Sequence, residues 1–228
     1  MPAIKSSQVL IALPAHNEEK VLGQVLQSLH RCSYTQIIVV DDGSTDRTMQ
    51  IARQQGAHVV SFAHNKGKGC ALRAAISYAI KKKYLALVTM DADGQHDPRD
   101  IPALLKGLSA YDVALGNRFV RHTAIPVYAR AANLLGNIVN LAFAGMWVHD
   151  SQCGLRAYTR SALTKLRLHS THYEIDTEII RELKRKHLSY TQVPVRVRYT
   201  TYSKSKRTKQ SFLMGLETVL RLVRIYRK

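Results

Sequence analysis

At 228 residues the chain is long enough to bury one substantial core, and α/β domains of this size are commonly undivided. Lys and Arg total 34 against 16 Asp and Glu, and the net charge of +18 predicts attraction to something anionic: nucleic acid, a phospholipid surface or a phosphorylated ligand. The three scattered cysteines, Cys32, Cys70 and Cys153, lack a Cys-x-x-Cys or Cys/His spacing; this argues against a disulfide framework or a zinc site and for a reducing cytoplasm.

The first apolar run, Val9–Leu13, is too short for a signal-peptide core, so secretion is not expected. Further strand-like runs follow at 36–40, 58–62, 84–90 and 112–115, with helical patterns near 18–31, 45–55, 67–82 and 98–109 between them. Strict alternation of this kind predicts an α/β domain whose mostly parallel sheet is covered by helices on both faces. The unbroken apolar character of the runs agrees, because parallel strands are buried on both sides. Asn17 before Glu18-Glu19, Ser44 before Asp46, and Asp97 before Pro98 read as helix N-caps directly after strands. Ligands of such sheets collect at the C-terminal edge of the strands.

Residues 131–148 carry no charge over roughly the minimum length of a membrane span. However, Asn133, Asn137 and Asn140 recur along one helical face, which would be costly against lipid. The segment is expected to be an amphipathic helix that packs on the domain or dips into a membrane surface. Beyond residue 150 come a polar loop to Arg156, a helix near 175–186, a strand near 191–199 and a basic segment at 202–210. The last stretch, 212–228, places Glu217, Arg221, Arg224 and Lys228 opposite Phe212, Leu213, Leu216, Val219, Leu220 and Val223, an amphipathic basic helix. The expected division is a catalytic domain over 1–206 and this helix over 207–228.

Several strand ends carry residues suited to chemistry. The run to Met90 stops at Asp91-Ala92-Asp93-Gly94-Gln95-His96-Asp97-Pro98. Two carboxylates one residue apart can hold a divalent cation against a diphosphate, provided that the chain bends or one ligand acts through water; a turn cap is the plainer reading. Asp41-Asp42-Gly43-Ser44 after the second strand can accept hydrogen bonds from a base or ribose, or can simply cap a turn. Asn65-Lys66-Gly67-Lys68-Gly69 can cradle phosphate or form a flexible basic turn, but lacks the Walker A spacing.

Taken in order, Pro14-Ala-His-Asn-Glu-Glu19, Val39-Val-Asp-Asp-Gly-Ser-Thr-Asp46, Asn65–Gly69, Asp91–Pro98 and Gly116-Asn117-Arg118 resemble family 2 glycosyltransferases of the GT-A fold. The likeness is greatest to the polyprenyl-phosphate sugar synthases of the dolichyl-phosphate mannose synthase type. It continues through Asp150-Ser-Gln-Cys-Gly-Leu-Arg-Ala-Tyr158 and covers roughly residues 7 to 206. The resemblance implies a single nucleotide-diphospho-sugar transferase domain. Pro14, Ala15, Asn17, Glu18 and Asp42 would line the donor's nucleotide pocket, with Gly67, Lys68, Asp91 and Ala92 nearby. Asp91 and Asp93, with Gln95 as a third ligand, would hold Mg2+ or Mn2+. Arg118, Arg130 and Lys204 would meet the acceptor phosphate, and Asp91, Asp93, Arg118 and Arg130 would carry the catalysis. Gly94, Asp97 and the late loop Tyr199–Lys206 depart from the mannose synthases, which leaves the sugar open.

The implied reaction moves a sugar from a UDP- or GDP-sugar to a polyprenyl or dolichyl phosphate. Its acceptor is already ionised and needs no strong base, so positioning and charge neutralisation carry the step, with inversion at the anomeric carbon. A sugar-hydroxyl acceptor would instead need a base, for which Glu174, Asp176 and Glu178 are candidates. A basic nucleic-acid-binding protein is the remote alternative; no zinc spacing or RNP-type motif supports it, and nucleic acid is not an expected partner. The expected location is the cytoplasm, peripherally at the inner face of an anionic membrane, alone, as a homo-oligomer or with a membrane-protein partner.

Overall fold

A computed structural model describes residues 4–120 and 125–199. The expectations for Lys204, for the basic segment at 202–210 and for the terminal helix lie outside the described residues.

Seven strands form one sheet: β1 (Val9–Ala15), β2 (Ile37–Asp41), β3 (His58–Ser61), β4 (Ala86–Thr89), β5 (Val113–Asn117), β6 (Arg156–Thr159) and β7 (Tyr190–Pro194), in the order β3-β2-β1-β4-β6-β5-β7. The first four pair in parallel, as alternation with helices predicts. The strand β6 departs from that prediction: it lies between β4 and β5 and runs antiparallel to both. The consequence is functional. A reversed strand starts where its neighbours end, so Arg156 lies opposite Thr89 and Leu115 at the sheet's C-terminal edge.

Helices α1 (Leu22–Arg31), α2 (Thr48–Gln54), α3 (Lys68–Lys81), α4 (Ile101–Gly107), α5 (Val127–Ala144), α6 (Arg160–Lys165) and α7 (Ile175–Arg185) cover the two faces. The alternation of side chains along β1 shows why two layers are needed. Val9, Ile11 and Leu13 join Leu22, Leu26 and Leu29 of α1 and Leu104 of α4 in one core. Leu10 and Ala12 point the other way, into a core with Leu72 and Ile76 of α3 and Ile179 and Leu183 of α7.

The helix starts are partly as read. Asp97 does cap, its Oδ1 accepting from Arg99 N at 3.0 Å ahead of the 3₁₀ turn Pro98–Asp100. Asn17 does not: α1 begins five residues later, and Asn17 has φ 54°. Its Oδ1 instead accepts from Thr45 N at 2.9 Å, while Ser44 Oγ accepts from Asn17 N at 3.0 Å. The loops after β1 and β2 are therefore stitched to each other rather than each capping its own helix.

Helix α5, uncharged beyond Arg130, is turned inside out relative to a soluble helix. Asn133 and Asn137 face the protein, both donating Nδ2 to His149 O at 2.7 and 3.0 Å. Leu134, Leu135, Ile138 and Leu141 are each at least half exposed. No described helix is long and apolar enough to cross a membrane.

Candidate active site

The strand ends gather the residues singled out from the sequence. Asp42 follows β2 with a buried carboxylate, which accepts from Lys66 N at 2.7 Å and Gly67 N at 2.9 Å. This bidentate grip fixes the Asn65–Gly69 turn over the edge. Gly67 has φ 94° and abuts Thr171 O, so a side chain there would meet both backbone strain and a clash. The turn delivers Lys68 to the first residue of α3. Glu18 is buried with its N–H donated to Thr48 Oγ1 at 2.8 Å, and His16 Nδ1 lies 2.9 Å from Asp42 O.

A cavity opens between β1 and β4, lined by Pro14, Lys68, Thr89, Asp91, Arg156 and Asp176 among others. Asp91 lies beyond the end of β4, so the strict alternation of strand side chains does not separate it from Asp93. The chain turns at Gly94, with φ 75°, and Asp93 Oδ1 accepts from Gln95 N at 3.0 Å. Asp91 rests against Gly154 so closely that any Cβ at 154 would collide with its carboxylate. Its Oδ1 is 3.3 Å from Lys68 Nζ and its Oδ2 is 3.5 Å from His96 Nε2.

Behind Asp91 charge alternates into the protein. Lys68 Nζ also lies 3.4 Å from Asp176 Oδ2, and the opposite oxygen of Asp176 is 2.8 Å from Arg156. Burial alone would depress the Lys68 ammonium, but Asp176 and Asp91 outweigh it and hold its pKa above the ordinary lysine value. Arg156 behaves in the same way, burial opposed by Asp176, and it also donates to Cys153 O at 2.8 Å and Ser151 O at 2.6 Å.

The acids considered as bases have other employment. Glu178 accepts from His169 N and Ser170 N, and Glu174 Oε1 from Thr171 N and His172 N. With Glu182, which accepts from Arg167 N, they form a ladder along α7 that fastens the 167–172 loop. This was legible only as a helical spacing; their targets are backbone amides, which a sequence does not label.

Arg118 is placed differently from the expectation of an acceptor ligand. It is 5% exposed and grips Asp150 with Nε and a terminal nitrogen, both at 2.7 Å. Burial works against its charge and Asp150 more than restores it, so the guanidinium is raised in pKa and already matched. Arg130, by contrast, is exposed in the first turn of α5. Of the cluster around Asp91, Arg156, Gly154 and His96 were given no role from sequence, and Asp176 was considered only as a base for a hydroxyl acceptor. Lys68 and Asp176 are 108 positions apart, and no local pattern announces such a pair.

The donor set fits a hard divalent cation. Asp91 and Asp93 carry the hard carboxylate oxygens such a cation takes; Gln95 is buried with its Nε2 unpartnered, and since an amide nitrogen donates rather than ligates, only its Oε1 could serve an ion. Among the described residues no group of three His, Cys, Asp or Glu side chains is placed to hold a metal. Mg2+ and Mn2+ sites of this kind take one or two carboxylates and complete their shell with substrate phosphates and water.

The description "Glycosyl transferase family 2" belongs to the family model that matches residues 10–167. The chain belongs to that family. As a family 2 glycosyltransferase it is 30% identical to the UDP-N-acetylglucosamine–dolichyl-phosphate N-acetylglucosaminyltransferase of Methanococcus voltae, over 94% of each chain. It is 31% identical to the polyprenol monophosphomannose synthase of Mycolicibacterium smegmatis, over 72% of this chain and 66% of that one. Among solved structures, glucosyl-3-phosphoglycerate synthase of Mycobacterium tuberculosis, in complex with Mn2+ and UDP-glucose, superimposes with a TM-score of 0.64 at 21% identity, covering 96% of this chain and 84% of that one. At that identity the likeness is one of fold, and the fold is the GT-A glycosyltransferase fold.

Proposed function

We propose that this glycosyltransferase moves a sugar from a nucleoside diphosphate donor to a polyprenyl or dolichyl phosphate, with Mg2+ or Mn2+ at Asp91 and Asp93 and Gln95 beside them. The observation that carries the reading is the juxtaposition of Lys68 and Asp91 in a cavity at the sheet's C-terminal edge. There a cation and a metal-binding carboxylate can meet the two ends of one diphosphate. The metal would neutralise the diphosphate as it leaves. Pro14, Ala15, Asn17, Glu18 and Asp42 frame the nucleotide side, where the stitched loops after β1 and β2 give it a rigid wall.

The acids that are available support the acceptor class. Glu174 and Glu178 hold loop amides and Asp176 lies between Lys68 and Arg156. An acceptor that brings its own ionised oxygen suits this arrangement better than a sugar hydroxyl, which needs a base. The printed names of the relatives from Methanococcus voltae and Mycolicibacterium smegmatis point to lipid-phosphate acceptors as well. Exposed Arg130 is the described cation best placed for the acceptor phosphate; Arg118 would have to leave Asp150 to take part.

The outward apolar face of α5 brings the enzyme to its lipid. The helix starts beside the active edge, where Phe119, Ile125, Ala129, Val197 and Tyr199 pack together after β5. The excess of basic residues favours an anionic bilayer.

The test is transfer from UDP- and GDP-sugars to polyprenyl phosphate with Mg2+ or Mn2+, run beside Asp93→Ala and beside glycan acceptors. Transfer to the lipid phosphate that chelation and Asp93→Ala both abolish supports the assignment. Activity that survives both removes the metal, and transfer to hydroxyl acceptors alone removes the lipid phosphate.

A further inference from the structure

We propose that Asp176 is a positioning residue for the divalent cation, acting through Lys68: by sharing the Lys68 ammonium it keeps that ammonium from closing onto Asp91. The inference rests on the assignment of the metal to Asp91 and Asp93.

Lys68 Nζ lies 3.3 Å from Asp91 Oδ1 and 3.4 Å from Asp176 Oδ2. The distances are nearly equal, and both exceed the roughly 2.7–2.9 Å of a committed charge-assisted hydrogen bond. The ammonium is therefore divided between two carboxylates. One of the two oxygens it faces belongs to the residue that a metal would use, so ammonium and metal compete for Asp91. Asp176 itself is fixed from behind. Arg156 holds its other oxygen at 2.8 Å and is anchored in turn on the carbonyls of Cys153 and Ser151.

Side-chain exposure rises in steps along the series, from 3% at Arg156 through 12% at Asp176 and 18% at Lys68 to 27% at Asp91. The fixed end of the series is buried and the exchangeable end faces the cavity. If Asp176 loses its charge, Lys68 keeps a single carboxylate partner. The ammonium then tightens on Asp91, and an incoming cation has to displace it. Arg156 retains its two carbonyl acceptors in that variant, so the fold keeps its anchor. Asp176 would in this way favour arrival of the metal without touching it.

A double-variant cycle with Mn2+, followed by electron paramagnetic resonance of the free ion in the absence of nucleotide, tests the idea. Asp176→Asn is expected to weaken Mn2+ binding about tenfold, the size of one charge-assisted contact. Lys68→Met is expected to strengthen it. In the Lys68→Met background Asp176→Asn should change the affinity by less than about twofold, because the intermediary is gone. A tenfold weakening that persists in that background overturns the proposal, since Asp176 then acts on the ion directly. The cycle is repeated with Lys68→Gln, and thermal melting identifies any variant that does not fold, so one unstable protein does not decide the outcome. A folded wild-type protein that binds no Mn2+, with or without UDP, overturns the metal assignment itself, a result distinct from an unchanged cycle.

Discussion

A methyl group at position 154 would occupy the space of the Asp91 carboxylate, and the carbonyl of Gly154 is already bonded to Thr89 Oγ1 at 2.9 Å. The backbone cannot retreat without breaking that bond, so Asp91 has to move instead. Gly154→Ala is therefore expected to reduce kcat by about a hundredfold, the scale of a 1 Å misplacement at a reacting centre. Its thermal midpoint should stay within a few degrees of wild type; a large fall in both would show that the residue supports the fold instead. The Arg118–Asp150 pair gives the opposite expectation. Both side chains are buried, and a guanidinium left without its carboxylate costs about 3–5 kcal/mol. Urea denaturation of Asp150→Asn should show that loss, and replacing both partners with apolar residues should recover much of it. An Asp150→Asn protein as stable as wild type would mean that Arg118 finds other partners and is free to serve a ligand.

Between elements, a clasp joins the Asp91–Asp97 loop to the chain after β7. Val197 bridges His96, Arg198 N donates to Gln95 O at 2.9 Å, and Arg196 holds Asp100 at 2.8 and 2.9 Å. Asp97, which caps the turn before α4, is gripped by Arg99 and approached by Arg196 and Arg198; the Arg99 hydrogen bonds draw its pKa down to about 2. A carboxyl that is more acidic in the folded state stabilises the fold above its unfolded pKa near 4, and that contribution disappears as pH falls toward 2. The share is about 2 kcal/mol at neutral pH. In acid titrations followed by circular dichroism, Asp97→Asn should be less stable than wild type at pH 7 and should converge with it near pH 2. A constant gap across that range would assign the loss to capping geometry rather than to charge. The first five strands were legible from the sequence because each is a short β-rich run bounded by turn residues, four of them buried throughout or nearly so and β3 half-exposed at the sheet edge. The reversed strand β6 was not. It is four residues long, begins with a charged arginine and follows a polar loop, so neither periodicity nor composition marks it. The candidate site divides in the same way: Asp42 and Asp91 follow strands and Lys68 opens the helix after a glycine turn, whereas Gly154, Arg156 and Asp176 reach them only through the antiparallel pairing and the packing of α7.

At the scale of the molecule, net charge and one helix face act together. On the proposed reading the excess of cations would draw the protein to anionic lipid from a distance, at about 1 kcal/mol for each Lys or Arg near the surface, but salt screens that attraction within a Debye length. Apolar contact is short-ranged and insensitive to salt. The α5 face proposed to supply it, with Val127 82%, Leu135 57% and Ile138 51% exposed, points away from the Asn133–Asn137 seam that secures the helix to the protein. Ile138→Glu should therefore leave the melting temperature almost unchanged while placing a charge where the bilayer interface would be. Vesicles containing anionic phospholipid are expected to carry the wild-type protein upward in flotation at low salt, and neutral vesicles much less. Raising the salt to 1 M should reduce binding without abolishing it, and Ile138→Glu at 1 M salt should remove what is left, because the electrostatic and apolar contributions have then both been withdrawn. Equal flotation of Ile138→Glu and wild type at high salt would show that α5 is not the face that meets the lipid.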